Sequence, residues 1–74
     1  MKEFIEVHVH APGKAFDGVP TMVNLDWVET FQAEGEHAVI FMAFSDPDYG
    51  TQDQIHTVES YDDIKKMVWR RLHV

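Results

Sequence analysis

The chain has no cysteine, so it can build neither a disulfide framework, nor a thiolate zinc site, nor a cysteine nucleophile. Serine is scarce: Ser45 stands among turn formers and Ser60 opens a helix, and there is no third. Nucleophilic catalysis has little to work with. Basic charge is scarce too, six Lys and Arg against thirteen Asp and Glu, for a formal net charge of −7. A phosphate backbone demands clustered cations, so nucleic acid is not an expected partner. No apolar run approaches the roughly 20 residues of a membrane helix. The opening MKEFIEVHVH carries acidic residues where a signal peptide has an uninterrupted apolar core. The expectation is a cytoplasmic protein that does not engage a membrane. Length is also short. Seventy-four residues make one domain, 1–74, and a chain of this size buries only about 60% of the surface its unfolded form exposes. With no disulfide to staple it, oligomerisation is the commonest remaining support.

What is abundant is apolar surface, 45% of residues, concentrated first in His37–Phe44, HAVIFMAF. As a strand this stretch puts Ala38, Ile40, Met42 and Phe44 on one face and His37, Val39, Phe41 and Ala43 on the other. Both faces want cover, which places the strand at the centre of a sheet. Glu3–His10 alternates instead, with Ile5, Val7 and Val9 against Phe4, Glu6, His8 and His10; it reads as a strand with one buried face. Ala11-Pro12-Gly13-Lys14 breaks it, and Asp17-Gly18 breaks the chain again.

Thr21–Gln32 is extended, but its apolar residues change parity around Asn24 and Asp26, so a bend or bulge is expected at Asn24–Asp26. Glu34-Gly35-Glu36 makes a tight hairpin into the central strand. A polar loop, SDPDYGTQ, follows at Ser45–Gln52, then a short strand at Gln54–Val58. Ser60 and Asp63 form a capping-box-like pair at the start of the one helix. Its Tyr61, Ile64, Met67, Val68 and Leu72 gather on one side, Trp69 at the edge. The fold expected is α+β: a small curved antiparallel sheet of about four hairpin-connected strands, with one C-terminal helix packed on it.

Three pieces in order, Gly13-Lys14 after the first strand, VNLDWVETFQ at Val23–Gln32 and TVESYDDIKKMV at Thr57–Val68, resemble the FlbD/SwrD family of small proteins from flagellar and swarming operons and their phage counterparts. The likeness spans most of residues 4–72, although the loop Ser45–Asp53 is longer than the family's usual hairpin. The family brings no catalytic residues to carry over. The resemblance implies an accessory or regulatory protein acting through contacts.

His8 and His10 form an H-x-H pair whose rings share one face of a strand. Such a pair fits zinc or another transition metal, given a further ligand from Glu6, His37 or His56. Asp46, Asp48 and Asp53 imitate the start of a calcium loop, but the glycine falls one place early and no glutamate stands at the twelfth position. Lys65, Lys66, Arg70 and Arg71 are interleaved with Asp62 and Asp63 and read as a solvated helix face. Trp27, Phe31, Phe41 and Trp69, with Phe4 and Phe16, exceed what one helix covers, and point to a self-complementary patch or a partner site. The expected function is therefore non-enzymatic: an acidic accessory or regulatory protein working as a homo-oligomer or by protein–protein interaction, with Trp27, Phe31, Phe41 and Trp69 in the interface. The alternative is a histidine-based metal protein centred on His8 and His10; an enzyme with an unrecognised pocket ranks below both.

Overall fold

A computed structural model describes residues 3–45 and 52–72; Asp46 and Asp48 lie outside them. Five strands and a helix follow one another: β1 Phe4–His8, β2 Pro20–Asn24, a 3-10 turn Leu25–Trp27, β3 Val28–Glu34, β4 His37–Ser45, β5 Gln52–Thr57 and α1 Tyr61–Leu72. The α+β class and the C-terminal helix are as the sequence implies. Among the described residues, however, the strands number five and divide into two antiparallel sheets, β1-β2 and β3-β4-β5.

The division falls at the parity change. Asn24 accepts a hydrogen bond from the Asp26 N–H through Oδ1 at 3.0 Å and so caps the 3-10 turn that ends β2. The chain leaves that turn in a new direction and opens β3, where the register with β4 shifts between Val28 and Thr30. The β3–β4 hairpin turns on two residues, Glu34 pairing with His37. Gly35 sits at φ 60 and no described non-glycine residue has positive φ, the sign pattern of a type II′ turn.

Ile5 and Val7 of β1, Val23 of β2, Ala38, Ile40 and Met42 of β4 and Ile64 of α1 make the core. The helix reaches it because Ser60 Oγ accepts from the Asp63 N–H at 3.2 Å, the expected cap. Tyr61, Met67 and Val68 then pack around Ile64. As the double-sided apolar pattern requires, Val39 on the opposite face of β4 is buried too. Its register neighbours there are Gln32 and His56.

The two sheets meet at one corner. Past His8 the chain runs beside β5, with an antiparallel bridge Val9↔Thr57. The His10 N–H donates to the His56 carbonyl at 2.8 Å, and the Val58 N–H to the His8 carbonyl at 2.7 Å. Thr57, fully buried, donates its hydroxyl to the carbonyls of Glu59 at 2.9 Å and Ala38 at 3.3 Å.

Candidate functional site

That corner gathers four of the five histidines. Alternation sends His8 away from the side of Ile5 and Val7. The bridge places His10 beside β5, and the register sets Glu34 opposite His37 and Val39 opposite His56. The best-made contact is between His8 and Glu59. The Glu59 carboxylate accepts from the His8 backbone N–H at 2.8 Å and from its ring Nδ1 at 2.6 Å. These bonds fasten the end of β1 to the residues just before α1.

The pair favours the charged form of each group. The hydrogen bond to Glu59 raises the His8 pKa above its ordinary 6.5; partial burial opposes this, and the negative charges of Glu59 and Glu6 add to the rise. For Glu59, partial burial pushes the carboxyl up, but the bonds from the His8 backbone and ring outweigh it. The net effect lowers its pKa below the ordinary 4.5.

His37 places Nδ1 3.1 Å from the Val58 carbonyl, and a carbonyl only accepts, so that nitrogen carries the proton. His56 Nδ1 lies 3.3 Å from Glu34 Oε1, with both side chains about half exposed. The contact is long and wet, and contributes little. His10 stacks on His37, ring centres 3.9 Å apart and planes 20° from parallel.

His8 and His10 each have a companion of their own: Glu59 for one, His37 for the other. The lone pairs of near-parallel stacked rings lie side by side and do not converge on one ion at the roughly 2.0–2.1 Å a zinc–imidazole bond needs. Among the described residues, no group of three or more His, Asp or Glu is placed to hold a metal ion. Glu59 was hidden in the sequence, where it reads only as an acidic residue ahead of a helix; its partner is 51 positions away.

The four aromatic candidates do not form one patch. Phe31 faces inward, half-buried, its ring 5.4 Å from that of Tyr61 and packed against the core. Phe41, adjacent to Ile40 on β4, points to the other side of the sheet. Trp27 is 53% exposed on the 3-10 turn and Trp69 61% exposed on α1. Trp69, Asp62, Lys65, Lys66 and Arg70 line a shallow groove of about 330 Å³ along the outward side of that helix. Of the helix residues expected on the docking side, Leu72 is exposed instead. Phe4 and Met22 are exposed as diagonal neighbours on the outer face of β1-β2, and Leu72 lies three residues beyond Trp69.

Set beside protein-family models, curated proteins and solved structures, the chain matches none of them.

Proposed function

We propose that this is a non-enzymatic accessory or regulatory protein that works by contact and that associates with a second copy of itself. The observation that carries this reading is the distribution of apolar side chains. Among the described residues, seven form the buried cluster, while eight large hydrophobics, including both tryptophans, are exposed. In Phe4/Met22 and Trp69/Leu72 they lie as neighbours rather than singly, and adjoining exposed apolar groups mark sites of association. An accessory role is also what the resemblance to the FlbD/SwrD family implies.

Native mass spectrometry of untagged protein, prepared without added metal, tests the reading. A metal-free dimer or larger assembly, growing with concentration, is the expected result. A monomer at every concentration sinks self-association, and a monomer carrying one stoichiometric ion returns the function to His8 and His10.

A further inference from the structure

We infer that two copies of this chain join along the outer edge of β3, antiparallel about a two-fold axis at Gln32. The inference rests on the self-association just proposed and names its surface.

Strand edges invite pairing with other chains, and proteins guard them with proline, bulges, short length or cover. Such guards stand on β2 and at one end of β5. β2 is five residues long and begins with Pro20. The free side of β5 meets the chain after β1 through the Val9↔Thr57 bridge and the His10–His56 and Val58–His8 backbone bonds. On β3 the register shift sits at one end, between Val28 and Thr30, and Glu34 stands at the other. Among the described residues no strand pairs with its outer side. Core cover also stops short of it: Ala33 is exposed although its register partner Ala38 is fully buried.

The geometry of that edge selects the occupant. In a two-residue hairpin Glu34 and His37 exchange backbone bonds, and hydrogen-bonded and non-bonded pairs then alternate. Gln32 and Thr30 therefore turn their amides toward β4, and Phe31 and Ala33 turn theirs outward. A second β3 laid antiparallel with Gln32 opposite Gln32 sets Phe31 of each copy opposite Ala33 of the other. All four outward amide groups per copy find partners, four bonds in all, within the regular stretch 30–34. The match extends to side chains. Half-buried Phe31 lies against exposed, small Ala33, Thr30 faces Glu34, and the two Gln32 amides each offer the donor and acceptor the other lacks. No glutamate faces a glutamate. The arrangement is isologous, the same patch on both copies, and closes at two.

Two kinds of variant test it by sedimentation equilibrium and native mass spectrometry. Ala33→Pro removes an amide that faces outward, a position where an edge strand tolerates proline, and should weaken the dimer roughly tenfold or more by deleting two of the four bonds. Gln32→Glu and Gln32→Lys alter an exposed side chain. Each should weaken its own homodimer, by about two- to fivefold, because like charges then face each other. Mixed in equal amounts, they should form heterodimer in excess of the statistical half. A dimer indifferent to Ala33→Pro, or a statistical mixture of the two Gln32 variants, overturns this edge while leaving self-association standing. A wild-type monomer at every concentration overturns both.

Discussion

At the scale of single residues, the contact with the most consequence is His8–Glu59. A histidine whose folded pKa is raised adds stability that is complete below its ordinary 6.5 and is lost as pH rises through the folded value. A carboxyl whose folded pKa is lowered adds stability that is complete above its ordinary 4.5 and is lost as pH falls through the folded value. The two contributions overlap fully between 4.5 and 6.5. Glu59→Gln keeps an acceptor for the His8 N–H but removes the charge. Its loss of melting temperature relative to wild type should be largest in that window and shrink on both sides; a difference that does not vary with pH would count against the pair. The H-x-H spacing made His8 and His10 visible in the sequence as two rings on one face. Their actual companions were not visible, because Glu59 and His37 arrive through tertiary contacts that no local spacing encodes.

At the scale of elements, the β3–β4 hairpin depends on Gly35, whose φ of 60 lies where other residues are strained. An added Cβ there meets nothing within 4 Å, so the cost of Gly35→Ala is conformational alone, about 1–3 kcal/mol. Urea unfolding should show that loss with an unchanged m-value; a neutral substitution would mean that the turn relaxes into another type. Much at this scale was legible. The apolar faces of β4, the Ser60 cap and the parity change at Asn24–Asp26 all announced elements that formed. What parity could not reveal was that the bend would divide the sheet, since a bulge and a capped 3-10 turn leave the same break in the pattern. Nor does Val28–Glu34 read as an edge: whether a strand lies at the centre or the rim is decided by its neighbours, not by its own residues.

For the whole molecule, charge and apolar surface pull in opposite directions. Each copy carries −7, so two copies repel over a distance that salt shortens, from about 30 Å at 0.01 M to about 10 Å at 0.1 M. Self-association should therefore tighten as sodium chloride is raised across that range, measured by sedimentation at fixed pH. Weakening with salt would instead indicate contact between opposite charges, such as the Lys and Arg side chains of α1 against an acidic face. Apolar patterning along the chain was enough to foresee an α+β domain. Where the exposed apolar surface lies was not foreseeable, because Phe31 and Trp69 have similar side chains and opposite fates. The corner where β1 meets β5 has a final consequence, which concerns time rather than stability. The β3–β4 hairpin forms through neighbouring residues, whereas His8 must find Glu59 across 51 positions. Contacts between distant parts of a chain form slowly, because loop closure must precede their reward. The first strand must therefore search for the last, and this corner closes later than the β3–β4 hairpin does.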